Sequence, residues 1–291
     1  MNAVEQFLAR KKMLENLVAD INELLRKFKV SGHISSDDLT ITDGSVTDSS
    51  KEKLSELIIS SIWPSIRSAT VYHYTRKECA ESIINSGVFR LSNIEKRYDE
   101  GEIVAFCEAH KLNGYLDKDA DGNPNYRKWL MPNIFYGSFT DTAISAEEEE
   151  YFWRVFAGSE GARLKIQIEA TNTNLRHIYY AEKTGQPIPL LEEIRQCVKE
   201  HTGLEFTLRG ISRLCAFYLP GEDYAHEKEL RALHKTYEGW GVQSQEVGAS
   251  SYIEIPLGEE NECGYKMTIL EVQASEELDI PSHYEFSKRT I

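Results

Sequence analysis

The sequence lacks cysteine pairs, an excess of positive charge and long apolar runs. Its five cysteines, Cys79, Cys107, Cys197, Cys215 and Cys263, are odd in number and widely spaced, with no C-x-x-C among them. That argues against a disulfide framework or a cysteine-rich zinc cage and fits reduced thiols in the cytoplasm. Lys and Arg total 33 against 47 Asp and Glu, for a formal net charge of −14. Broad capture of nucleic acid needs a basic face, so only a nucleic acid met at one local pocket stays open. No stretch of about 18 apolar residues occurs, so no membrane span is expected. The opening MNAVEQFLARKKMLENL interleaves charges with apolar residues, unlike a secretory signal.

Several motifs are also missing. There is no GxxxxGK[ST] and no strand-GxGxxG-helix, which removes the usual phosphate-cradling loops. GSFTD lacks the second glycine of a nucleophile elbow, and HEKEL at 226–230 lacks the second histidine of a zinc-protease helix. KDADGNPNY opens like a calcium loop but has no glutamate at the required distance. The eight histidines show no metal-ligand spacing, so no metal is expected.

What is present is a chain of 291 residues, 41% of them apolar, enough for a sizeable core. The first 30 residues read as one amphipathic helix. Phe7, Leu14, Ile21 and Phe28 recur every seven residues, with Val4, Val18 and Leu25 in a second register. That helix either packs on its own domain or serves as a coiled-coil or partner-binding arm. A polar loop follows, holding a short strand near 39–42. Ser49 and Glu52 have capping-box spacing ahead of a second helix carrying Leu54, Leu57, Ile58 and Ile62, which stops near Pro64. Residues 1–68 therefore read as a helical appendage and 69–291 as a separate α+β domain.

Within 69–291, ATVYHYT, VFRLS, IFYGSFT, ARLKIQIEA, RLCAFYL, KELRALHK, SSYIEIP and YKMTILEVQA read as strands. Helices are expected over 77–85, with Gly87 as C-terminal cap, over EIVAFCEAHKLNGYL, over SAEEEEYFWRVFAG and over 190–202.

Three clusters carry candidate chemistry. In Tyr72-His73-Tyr74-Thr75, strand alternation puts His73 and Thr75 on one face, read as the ligand side, and the two tyrosines on the other, read as core. In GSFT, Ser138 and Thr140 share a face. In HEKELR, Glu227 and Glu229 share a face with Arg231 if the segment is extended. Two carboxylates and a guanidinium on one face are costly to bury unless paired or functional. Each cluster, taken by itself, also suits an ordinary half-buried strand or a surface charge ladder.

In their order and spacing, VYHYT, Gly87, GSFT, FWRVFAG, ARLKI and HEKELR together resemble an uncharacterised bacterial family within the ADP-ribosyltransferase superfamily. The resemblance spans about 71–235 and leaves residues 1–68 outside. Leu230 stands where that family often has an aromatic, and Thr140 where it often has serine. The resemblance implies a split β-sheet core and NAD as substrate. It implies that His73 binds the nicotinamide-side ribose with support from Thr75, and that Ser138 and Thr140 shape the nicotinamide pocket. Tyr98 or Tyr136 would stack on the nicotinamide. Glu229 or Glu227, with Glu229 favoured, would hold the ribose 2′-hydroxyl and face the charge of the transition state. Tyr72, Tyr74, Trp153 and Arg231 complete the expected NAD site, with Arg76, Arg90 and Arg154 as candidates for the phosphates.

The function so implied is NAD-dependent ADP-ribosyl transfer to a protein or nucleic acid, in the manner of a toxin or phage-defence effector, with an antitoxin-like or regulatory partner on the N-terminal helices and no membrane. The alternatives are an NAD glycohydrolase and a non-catalytic ligand-binding module that recruits a partner through its N-terminal helix.

Overall fold

A computed structural model describes residues 3–42, 44–94, 100–183, 185–236, 241–248, 250–284 and 286–289. In chain order, α1 (Ala3–Lys27) leads to β1 (Leu39–Ile41), β2 (Ser45–Asp48) and α2 (Lys53–Ile62). Then come β3 (Ser68–Thr75), α3 (Lys77–Ser86) and β4 (Val88–Asn93). Helices α4 (Glu100–Ala109), α5 (Asn113–Leu116) and α6 (Asn125–Trp129) precede β5 (Ile134–Asp141). Helix α7 (Ala146–Phe152) runs into a π-helical turn, Trp153–Ala157, followed by β6 (Ala162–Ala170), β7 (Leu175–His177) and β8 (Tyr179–Tyr180). Next are α8 (Pro189–Thr202), β9 (Glu205–Phe206), α9 (Ile211–Ala216) and β10 (Tyr218–Leu219). The chain finishes with β11 (Glu229–Lys235), β12 (Gln245–Val247), β13 (Ser250–Pro256), β14 (Tyr265–Ala274) and β15 (Phe286–Lys288). The class is mixed α+β. Among the described residues no helix is long and apolar enough to cross a membrane.

Two compact units emerge, each drawn from three stretches. The first takes Met1–Pro64, Gly101–Leu130 and Tyr179–Gly221; the second takes Ser65–Glu100, Met131–Ile178 and Glu222–Ile291. Residues 101–130 and 179–221 thus lie with the N-terminal segment rather than with the 69–291 domain expected from the sequence.

In the first unit, α1 buries Leu17, Val18, Ile21 and Leu25, while Val4 and Phe7 near its start are 67% and 66% exposed. Only the second half of the expected stripe is covered. Helix α8 lies antiparallel to it: Lys27 pairs with Glu193 at 2.6 Å, and Asp20 meets His201 at 2.7 Å. The Ser49–Glu52 capping box does not form. Glu52 instead adopts a left-handed backbone, φ 51°, as the residue before α2, and its carboxylate takes an Arg213 guanidinium at 3.0 Å. Buried Asp48 organises this corner, receiving the Ser55 hydroxyl at 2.6 Å and the Arg209 amide at 2.7 Å. A buried carboxylate left without donors would be costly, and that need outweighs a surface cap. The run RLCAFYL, expected as a strand, is α9 followed by two-residue β10. Being apolar all round and buried, it carries no period to separate helix from strand.

In the second unit, the strands form one mixed sheet in the order β12-β13-β4-β5-β3-β6-β14-β15, with β11 also on β5 and β7 beyond β11. The alternating ARLKIQIEA of β6 makes the sheet's longest ladders, one with β14 and one with β3. The core lies on the face carrying Val71, Phe89, Phe135, Phe139, Leu164, Ile166 and Leu230.

Strand β5 is the place where the sheet parts. Along one edge it pairs with β11 from Ile134 to Thr140. Its other edge is shared: β4 takes Phe135 and Tyr136, and β3 takes only Thr140 and Asp141. Beyond Tyr72, β3 runs on to Thr75 bonded to β6 alone. Among the described residues, no strand fills that edge of β5 at 137–139. Gly137 lies in this gap for a steric reason. A β-carbon there would come within 2.9 Å of Phe89 Cε1 and 3.1 Å of Leu91 Cδ2 and Phe139 Cε2.

Candidate active site

Strand register decides which side chains meet. Tyr72 on β3, Thr140 on β5 and Glu229 on β11 are directly opposite one another, so they stand in one row on one face. Ser138 and Arg231 are likewise opposite, one row along. Where β3 and β5 separate, a cavity of about 210 Å³ opens, lined by Tyr72, His73, Tyr74, Ser138, Thr140, Phe156, Glu227 and Glu229. The three sequence clusters, far apart in the chain, therefore converge on one cavity.

Glu229 is the most constrained of these groups. It is 5% exposed, and Arg231 behind it is 2% exposed. Arg231 donates Nε to Glu229 Oε1 at 2.7 Å and Nη2 to Oε2 at 3.1 Å, a two-point clamp. The Ser138 hydroxyl donates to the same Oε1 at 2.5 Å. The far side of the Arg231 guanidinium rests on the Tyr136 ring, 4.5 Å from its centroid. The carboxylate thus has its orientation set from behind and below.

His73 fills the gap in the ladder. Its Nδ1 lies 3.1 Å from the Ser138 carbonyl oxygen. A carbonyl only accepts, so Nδ1 carries the proton. Its ring packs against Phe89 and Phe139, with centroids 5.0 and 5.7 Å away. His73 therefore lies on the core face and reaches the cavity through the opening between strands. This reverses the facing read from the sequence, since it is Tyr72 and Tyr74 that share the side of Thr140 and Glu229. Alternation separates the two sets of side chains but does not say which set meets the ligand.

The tyrosines are held by a charged and aromatic shell. The Arg163 guanidinium lies over Tyr72 at 4.2 Å and pairs with Glu149 at 2.5 Å. Tyr74 is wedged between Phe152 and Trp153, at 5.5 and 5.7 Å. Its buried hydroxyl has no hydrogen-bond partner among the described residues, and burial raises its pKa. Trp153 begins the π-helical turn. That wide turn ends with the Gly158 amide donating to the Trp153 carbonyl at 2.8 Å, and it includes Phe156, 43% exposed at the cavity.

Glu227 and Glu229 do not share an extended strand, as the sequence reading required. Glu227 ends a 3₁₀ turn, Glu222–Glu227, and Lys228 has a left-handed backbone, φ 46°. Lys228 is anchored outward by Glu148 at 2.8 Å, which lowers the Glu148 pKa, and by the Ala143 carbonyl at 3.2 Å. The kink lets both glutamates line the same cavity.

Other expected site residues lie elsewhere. Tyr136 is buried beneath Arg231, which rules out stacking on a ligand in this cavity. Arg231 is spent on Glu229, and Trp153 packs behind Tyr74 at 1% exposure. Arg90 pairs with Glu254 at 3.3 Å and covers Tyr252 at 4.2 Å. Arg154 is exposed, 6.0 Å from the Tyr151 ring, and Arg76 is exposed at the start of α3. Thr75 ends β3 outside the lining. Tyr98 falls outside the described residues. Phe156 lines the cavity without having been expected. Its only sequence signal is its place three residues after Trp153, one turn along the same helix.

Comparison with family models, curated proteins and solved structures finds no match to this chain.

Proposed function

We propose that this protein is an NAD-dependent ADP-ribosyltransferase acting on a macromolecule, with the cavity between β3 and β5 as its active site. The observation that carries the reading is the convergence of His73, Ser138, Thr140, Glu227 and Glu229 on that one cavity. The parting of the sheet at β5 agrees with the split core that the sequence resemblance implies. At about 210 Å³ the cavity is smaller than the ~300–1,000 Å³ of a whole drug-sized ligand site, so it encloses the nicotinamide-ribose end and leaves the rest outside.

The residue chemistry suits cleavage of a glycosidic C–N bond. As nicotinamide leaves, positive charge builds on the ribose. A carboxylate held still by Arg231 and Ser138 stabilises that charge without reorganising, which favours the transition state over the ground state. Arg231 holds the Glu229 carboxylate by two hydrogen bonds while leaving it at the cavity wall. The imidazole of His73 is suited to ribose hydroxyls, and Tyr72 and Phe156 offer ring faces. Glu227, on the 3₁₀ turn at the same cavity, is the group we assign to the incoming acceptor.

Incubation with labelled NAD and cell lysate, followed by protease or nuclease digestion, tests the proposal and identifies the acceptor class. Glu229→Gln is expected to reduce labelling by about 10²–10³-fold while the folded signal persists. Free ADP-ribose released equally with and without lysate identifies water as the acceptor instead. Wild-type protein that neither labels a macromolecule nor consumes NAD refutes the proposal.

A further inference from the structure

The first unit carries a cluster that the candidate active site does not use. Cys197 and His201 are four residues apart on α8, so they stand one above the other on the same face. Asp20 faces them from antiparallel α1. One ligand atom from each of the three lies within 4.8 Å of the others, and His201 Nε2 is 2.7 Å from Asp20 Oδ2. A thiol, an imidazole and a carboxylate on two packed helices make a mixed donor set spanning the helix interface.

From this geometry we propose that Asp20, Cys197 and His201 form a binding site for a zinc-class divalent metal, with water as fourth ligand, clipping the N-terminal helix to α8. Metal–ligand lengths of about 2.0–2.3 Å put the donor atoms of a tetrahedral site roughly 3.3–3.7 Å apart. Side-chain rotations would draw in donor atoms now up to 4.8 Å apart and open the 2.7 Å His201–Asp20 contact to the tetrahedral spacing. The donor types select zinc or cobalt over calcium or magnesium, which take oxygen ligands in greater number.

The Asp20 and Glu200 carboxylates beside the Cys197 thiol put negative charge where a dication would sit. Binding releases the thiol proton, and His201 would bond the metal through Nε2 as a neutral imidazole with its proton on Nδ1, so a thiolate, an imidazole and a carboxylate surround the metal. Nothing in this site depends on the transferase reading, because all three residues belong to the first unit and the candidate cavity to the second.

The test uses the full chain stripped of metal and titrated with cobalt(II). The expected result is a thiolate-to-cobalt charge-transfer band saturating at one metal per chain. Cys197→Ser abolishes it, and His201→Gln and Asp20→Asn each weaken cobalt binding by at least about tenfold. Cys79→Ser, which removes an exposed thiol, leaves the band intact. Zinc displaces cobalt and raises the melting temperature of wild type but not of Cys197→Ser. Absence of the band, its survival in Cys197→Ser, or a melting temperature indifferent to zinc overturns the site.

Discussion

Replacing Arg231 with methionine separates a clamped carboxylate from a merely adjacent one. Glu229 is 5% exposed and takes two of its hydrogen bonds from Arg231. Methionine keeps most of the volume but removes the charge and both hydrogen bonds, so the nearly buried Glu229 carboxyl loses its partner. Removing one partner of a buried pair costs about 3–5 kcal/mol. In a unit of about 150 residues each kcal/mol moves the melting temperature by about 2–4 °C, so a drop of roughly 6–20 °C is expected. The double variant Glu229→Gln/Arg231→Met has no stranded charge and recovers part of that loss, about 1–3 kcal/mol. Urea unfolding, with hydrogen exchange read at β5 and β11, reports on the second unit by itself. The reasoning fails if Arg231→Met costs less than about 1 kcal/mol, or if the double variant is no more stable than the single.

Two further outcomes follow from the packing. His110 is buried, with Nδ1–H given to the Phe106 carbonyl at 2.8 Å and Nε2 accepting the Ile188 amide at 2.8 Å, and burial lowers its pKa to about 4. Unfolded, it takes up its proton near 6.5, so between about pH 6.5 and 4 the unfolded chain holds more protons and stability falls with pH, by about 3 kcal/mol in all. Denaturation midpoints across that window fall as stated in wild type, and the slope flattens in His110→Gln. Gly137→Ala forces a methyl against Phe89 and Phe139 beneath the cavity and costs about 1–3 kcal/mol, read as a lower urea midpoint.

Much of the second unit was legible because its strands advertise themselves. ARLKIQIEA alternates strictly, and aromatic VYHYT is followed by a helix that stops at Gly87, which has φ 68° in the structure. The cluster at Ser138, Glu229 and His73 could be named because VYHYT, GSFT and HEKELR, each of which alone suits an ordinary strand, together resemble a known site. Their facing could not, since alternation is silent about which side is the core. The kink at Lys228 was hidden too. A lysine in a left-handed backbone has no sequence mark, and it rests on tertiary anchors, Glu148 and the Ala143 carbonyl. In the first unit, RLCAFYL and the Ser49–Glu52 spacing misled for a shared reason. Burial of α9 and the demands of Asp48 are properties of neighbours distant in sequence. Arg231 looked like a ligand-binding cation because a sequence shows charge without its partner.

The divided edge of β5 has a consequence of its own. The Ser138 peptide groups, which a neighbouring strand would otherwise occupy, lie at this open edge beside the cavity, with the carbonyl met by the His73 ring, while Gly137 and Phe139 turn theirs to β11. Whatever enters between β3 and β5 therefore lies against peptide groups as well as side chains, much as an added strand would. Peptide groups survive any point substitution except proline, so recognition along this slot tolerates drift in the surrounding side chains better than the Glu229 clamp does. The exchange rate of the Ser138 amide then serves as a native reporter of occupancy, slowing when the slot is filled and needing no label or mutation.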